Sequence, residues 1–133
     1  MATVTAAISL SSAAGDLTTN ALSLSDTSSL TITGMGTTGL ARAKVQATAV
    51  HSTATVLYTA DDFAAPAYIY IKNTDTTYAE YIWIYEDTND RVILKMGGGD
   101  WAFMPLKGDK TIKAYAPSGG NPLIEWIVYG TDQ

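Results

Sequence analysis

The chain has 133 residues, 47% of them apolar, no cysteine, and 13 carboxylates against 8 cations for a net charge of −5. That length is most simply one domain with room for one core, and the negative balance argues against a general nucleic-acid binder, whose affinity comes from neutralised phosphates. Disulfides, thiolate zinc sites and thiol chemistry are excluded, and no apolar run approaches the ~18–20 residues of a membrane-spanning helix. Met1 to Leu10 also lacks the basic start and apolar middle of a secretion signal.

Residues 1–60 are light. Ala, Thr and Ser supply 33 positions, charge is limited to Asp16, Asp26, Arg42 and Lys44, and Tyr58 is the only aromatic. Val4, Ala6, Ile8 and Leu10 alternate, as do Leu22 with Leu24 and Leu30 with Ile32, which is strand periodicity. Between Leu40 and Val50 two periods compete: Leu40, Ala43, Ala47 and Val50 suit a helix face, whereas Val45, Ala47 and Ala49 suit a strand. The strand is favoured, because β-rich neighbours leave a lone helix little to pack on. Thr55–Thr59 reads as a further strand. So few large side chains bury little area at ~25 cal/mol per Å2, so residues 1–55 read as a light arm or as completing strands, and residues 56–133 as the aromatic-rich core.

The second half alternates repeatedly. Tyr68–Lys72 puts Ile69 and Ile71 on one face and tyrosines on the other; Tyr81–Tyr85 repeats the pattern with Ile82 and Ile84. Arg91–Lys95 and Trp101–Met104 follow, with Gly97, Gly98 and Gly99 between them and Pro105 expected to end the second. Thr111–Tyr115 and Leu123–Tyr129 complete six strands, separated by turn residues roughly every 8–12 positions, as in all-β sandwiches. The fold expected is an all-β, jelly-roll-like antiparallel β-sandwich with a light N-terminal segment.

Catalytic and ligand motifs are weak. Gly34-Met35-Gly36-Thr37-Thr38-Gly39 matches the dinucleotide pattern GxGxxG. Its leading strand alternates with threonine, though, and no β–α alternation follows, so a glycine-rich turn is the better reading. Gly97-Gly98-Gly99-Asp100 lacks the Lys of a phosphate loop and reads as a bulge or turn. The acidic turns Asp61-Asp62 and Glu86–Asp90 lack the central glycine and closing glutamate of a calcium loop. His51 is the sole histidine and has no recognisable partner, and Glu80 and Glu125 are the only acids placed in strands. No acid–base pair or nucleophile assembles, so no enzyme, cofactor or metal site is expected.

The aromatics are the remaining functional signal. Tyr68, Tyr70, Tyr81, Trp83 and Tyr85 oppose the isoleucines, so both faces of these strands are apolar or amphipathic. Glu125 shares a face with Leu123, Ile127 and Tyr129. These six residues are the interface candidates, because Tyr and Trp are enriched where a rigid apolar body must carry a polar tip. The same aromatics also suit core filling or a sugar platform. A charged fraction of 16%, against about 25% in typical soluble domains, fits a surface covered by a partner.

The stretch from Val56 to Gly130 resembles small virion structural proteins of tailed bacteriophages, of the cyanobacterial and marine type. The resemblance is carried by Val56–Phe63, Ala67–Thr74, Gly99–Leu106 and Ile124–Gly130. It implies a β-sandwich that decorates or cements a capsid, or sits on a tail or fibre, without cofactor or catalytic residues. The expectation is a non-enzymatic homo-oligomer, a trimer by default, bound to the major capsid protein on the outer capsid surface, with no nucleic acid or membrane partner. A tail, neck, baseplate or fibre component, including a carbohydrate- or receptor-binding module, is the alternative.

Overall fold

The computed structural model describes residues 3–11, 25–33, 36–45, 54–89, 91–117 and 120–131, and among them are strands and turns but no helix. They divide into two compact units, Met1–Met35 and Gly36–Gln133. The light segment 1–55 is therefore split: its first part forms a unit of its own, and its later part enters the sandwich.

The first unit is an antiparallel ribbon of β1 (Thr3–Ser11) and β2 (Ser25–Thr33), in unbroken register from Thr3 opposite Thr33 to Ser11 opposite Ser25. Directly opposed residues share a side. Val4 thus joins Ile32, and Ala6 joins Leu30, on an apolar side. On the other side the hydroxyls of Thr5 and Thr31 lie 3.4 Å apart. Leu22, Leu24 and residues 46–53, His51 among them, lie outside the described residues.

The second unit is built from β3 (Gly36–Thr37), β4 (Ala41–Lys44), β5 (Thr55–Tyr58), β6 (Ala64–Asn73), β7 (Ile82–Glu86), β8 (Arg91–Met96), β9 (Trp101–Leu106), β10 (Ile112–Tyr115) and β11 (Leu123–Thr131). Sheet I runs β3/β4–β11–β6–β9, with β3 and β4 sharing one edge of β11; sheet II runs β5–β10–β7–β8. Every neighbouring pair is antiparallel. With β3 and β4 taken as one interrupted edge strand, the eight strands fall in the order 1-8-3-6 in sheet I and 2-7-4-5 in sheet II.

Period-two alternation fills the space between the sheets. Ile69 and Ile71 of β6, Ile124 and Val128 of β11, and Ile82 and Ile84 of β7 are all fully buried. Trp126 also points inward, and its indole Nε1 donates to the Leu57 carbonyl at 3.0 Å, tying β11 of sheet I to β5 of sheet II. This is a sandwich core, built as the isoleucine alternation predicted.

The glycine-rich stretch resolves into an edge strand. Thr37 pairs with Tyr129 and Ala41 with Trp126, so three residues of the edge face two of β11. The extra residue makes a β-bulge, and Gly39, at φ 76°, takes the left-handed backbone there. Ala41–Lys44 continues as strand rather than helix, because β11 offers it a hydrogen-bonding edge; among the described residues the dinucleotide reading has no structural basis. Pro105 does not end its strand: β9 runs on to Leu106. β9 is an edge of sheet I, where a missing N–H is tolerated. Glu86, expected in a turn, closes β7, whereas Glu80, expected in a strand, lies in the turn before it.

Candidate docking face

The outward side of sheet I carries an aromatic cluster. Its composition follows from register, since paired residues point the same way. Tyr70 stands opposite Ile127 on one side and Phe103 on the other. Tyr68 lies between Tyr129 and Pro105, and Lys72 between Glu125 and Trp101. Arg42 of β4 extends the last row beyond Glu125. Three strands thus contribute Tyr68, Tyr70, Phe103, Trp101 and Tyr129 to one face, and Trp101 is 53% exposed.

Ring orientation decides what such a face is suited to bind. The Tyr68 and Phe103 rings are 5.8 Å apart at their centroids and only 6° from parallel. The two are parallel and offset, a displaced stack. Sugar rings stack on exposed aromatic faces, and rings stacked on each other each have one face partly covered.

The charges on this face are few and organised. Arg42 reaches Glu125 through both Nε and Nη2, each 3.2 Å from Oε2. The Glu125 side chain is only 18% exposed and the Arg42 side chain 63%, so the pair is anchored on the carboxylate side and open on the cation side. Burial first, and the negative charge of Glu125 second, hold the Tyr70 hydroxyl above its usual pKa of 10.0. It stays a neutral donor across physiological pH. Arg42, Lys44 and Lys72 against Glu125 make the face net positive on a chain of net charge −5.

The six candidates separate into two groups. Tyr68, Tyr70 and Glu125 lie together on this outward face. Trp83 and Tyr85 belong to β7 of the other sheet and Tyr81 immediately precedes that strand, so the three do not join it. Tyr85 is fully buried and Tyr115 nearly so; their rings meet edge to face at 5.4 Å, and Trp83 meets Tyr115 likewise at 5.6 Å. Tyr85 is thus a packing residue, not an exposed contact. Tyr81 lies under the Lys95 ammonium, 3.9 Å from its ring centroid. Trp101, Phe103 and Arg42 complete the face beyond the six candidates, and Tyr129 joins it on the side it shares with Glu125. Their alternation was visible, but the strand order that sets them beside Tyr68 and Tyr70 was not.

The loops behave as structural turns. Glu86 accepts from Asn89 Nδ2 at 2.8 Å and from the Thr88 N–H at 3.0 Å. Chiefly the Asn89 bond holds its pKa below 4.5; desolvation opposes it as the next largest effect, and Thr88 and the nearby Lys110 add to the lowering. Asp100 accepts the Gly97 N–H at 2.7 Å, and Gly99 takes a positive φ of 88° in the same turn. Asp61 and Asp62 are exposed in the β5–β6 turn, where the Asp61 N–H donates to the Gly108 carbonyl. No family model, no curated protein and no solved structure matches this chain.

Proposed function

We propose that the chain is a non-enzymatic structural protein of a bacteriophage particle, a homo-oligomeric, trimeric decoration or cement subunit that seats the outward face of sheet I on the major capsid lattice. The strand order carries this reading. An eight-strand double sheet ordered 1-8-3-6 over 2-7-4-5 is the arrangement of two Greek keys in a jelly roll, the architecture of viral capsid and lectin domains. Fold order alone does not assign function; the face supplies the rest. Its aromatics, polar Tyr tips and anchored arginine are the residue types that concentrate at the centre of protein interfaces. Stacking of the Tyr68 and Phe103 rings on each other partly covers one face of each, which favours this protein contact over the carbohydrate-binding alternative.

Electron microscopy of particles that carry the chain tests the reading. The expected result is ordered density at symmetry-related sites on the outer head, with sheet I turned toward the capsid. Density confined to the tail or fibre, or particles without the chain, overturns it. Replacing the exposed Trp101 by Glu is expected to reduce particle occupancy on the order of tenfold or more, the loss of one interface anchor, with an unchanged melting temperature.

A further inference from the structure

The β8–β9 side of the sandwich is open. β8 is the last strand of sheet II and β9 the last of sheet I, so neither has a partner on that side among the described residues. Between them lies a cleft of about 300 Å3 into which Ile93, Met104, Leu106 and Ile112 project. A second hollow of about 310 Å3 continues along the same two strands beside Leu94 and Trp101. Val92 and Ile93 are 46% and 48% exposed in the middle of β8. Native edge strands are usually guarded by charge, proline or bulges. Here Arg91 and Lys95 flank three apolar residues, and one bulge, at Ile93 between the partners of Ile84 and Tyr85, is the guard within the strand.

The seam also selects the sign of its occupant. Arg91, Lys95, Lys107 and Lys110 line the two hollows against Glu86 and Asp100. Lys107 is held by Asp109 at 3.2 Å, and the seam stays net positive with that carboxylate counted. Antiparallel pairing of β8 with the β8 of another copy would set Arg91 near Lys95 across the ladder, a like-charge cost. The strand that fits is apolar on one side and carries no cation.

The N-terminal ribbon is such a strand. Residues 1–35 contain two aspartates and no lysine or arginine. Two-stranded ribbons are marginal in water by themselves, and this one leaves Ile8 37% and Leu30 43% exposed on its apolar side. Its nine-residue strands contain no proline and a single charge, Asp26, so their edges are unguarded.

We infer that the chain self-associates by strand addition: the ribbon of one copy pairs along β8 of a second copy and turns its apolar side toward the cleft lined by Ile93 and Met104. Main-chain bonds supply affinity and the alternate apolar side chains supply register, as in other β-augmentation contacts. The contact is head to tail, so repetition closes a ring or continues as a chain of copies. It does not depend on the particle reading above.

The absence of cysteine makes the test clean. Full-length Thr5→Cys and Val92→Cys chains, mixed and treated with a short bis-maleimide, are expected to give a mixed dimer. The control mixture of Thr5→Cys with Thr76→Cys, in an exposed turn, is expected to give none. Light scattering of the unmodified chain is expected to show an oligomer. Ile93→Lys and, separately, Ile8→Lys are expected to weaken association on the order of a hundredfold, as loss of a central apolar anchor does, without shifting the melting temperature of the sandwich. A monomeric unmodified chain, equal cross-linking in the control, or an oligomer unchanged by both lysine variants overturns the inference.

Discussion

Asn73 is the one described polar residue with no exposed surface, and its replacement offers a quantitative test of how the sandwich holds its loops. Its Nδ2 donates to the Glu80 carbonyl at 2.8 Å and to the Met96 carbonyl at 3.3 Å. Its Oδ1 accepts the Asp75 N–H at 3.1 Å. One side chain therefore joins the end of β6 to the turn before β7 and to the end of β8. Each bond contributes about 1 kcal/mol net, and a buried group left without a partner costs somewhat more. Asn73→Ala is thus expected to lose roughly 3–4 kcal/mol. In a unit of about 100 residues that corresponds to a melting temperature lower by roughly 12–25 °C.

Urea unfolding followed by tryptophan fluorescence reads this directly, with a lower midpoint at an unchanged slope. Asn73→Asp provides the second arm. At neutral pH it sets a carboxylate against two carbonyls and is expected to be at least as damaging as alanine. Burial raises the pKa of such an acid, so the folded state binds more protons than the unfolded one. The loss is expected to shrink as pH falls toward the ordinary aspartate range of about 4 and to grow as pH rises. A loss below about 1 kcal/mol for Asn73→Ala refutes the reasoning, since that is the worth of one bond rather than three.

Three further outcomes follow from the same structure. Trp126→Phe keeps most of the inward ring but strands the Leu57 carbonyl, and calorimetry is expected to show a loss of about 1–3 kcal/mol. Gly39→Ala meets open space but must hold φ 76°; a loss of about 1–2 kcal/mol is expected from the left-handed backbone alone, and a neutral result removes the bulge argument. Glu86 has a lowered pKa, so its contribution is complete above about 4.5 and is lost as pH falls through the folded value. Asn89→Ala removes the largest cause, and side-chain NMR titration is expected to show the Glu86 pKa moving back up toward 4.5.

The sequence was most legible where side chains alternate most strictly. Ile69 and Ile71, Ile82 and Ile84, and Ile124, Trp126 and Val128 marked their strands and the buried side of each, because a half-buried strand writes its environment into a period of two. It was least legible where an edge or a neighbour sets the outcome. Pro105 reads as a strand stop unless β9 is known to be an edge. The run Leu40–Val50 stays ambiguous until β11 gives Ala41–Lys44 a partner. Tyr70 and Tyr85 both oppose isoleucines on alternating strands, yet one lies half-buried on an outward face and the other has no exposed surface. Nothing local distinguishes them.

The amino-acid sequence by itself determined an all-β chain, the inward side of its core strands and the light, charge-poor character of its first 60 residues. Those properties are local, fixed by periodicity, turn residues and composition. Tertiary structure alone decided which strands neighbour one another. That order brings Tyr68, Tyr70, Phe103, Trp101 and Tyr129 onto one positively charged face, leaves β8 and β9 open on the same side, and divides the light segment between a separate ribbon and the edge of sheet I. Strand order is a choice among long-range pairings, made by the summed burial of the whole core, and no single segment encodes it.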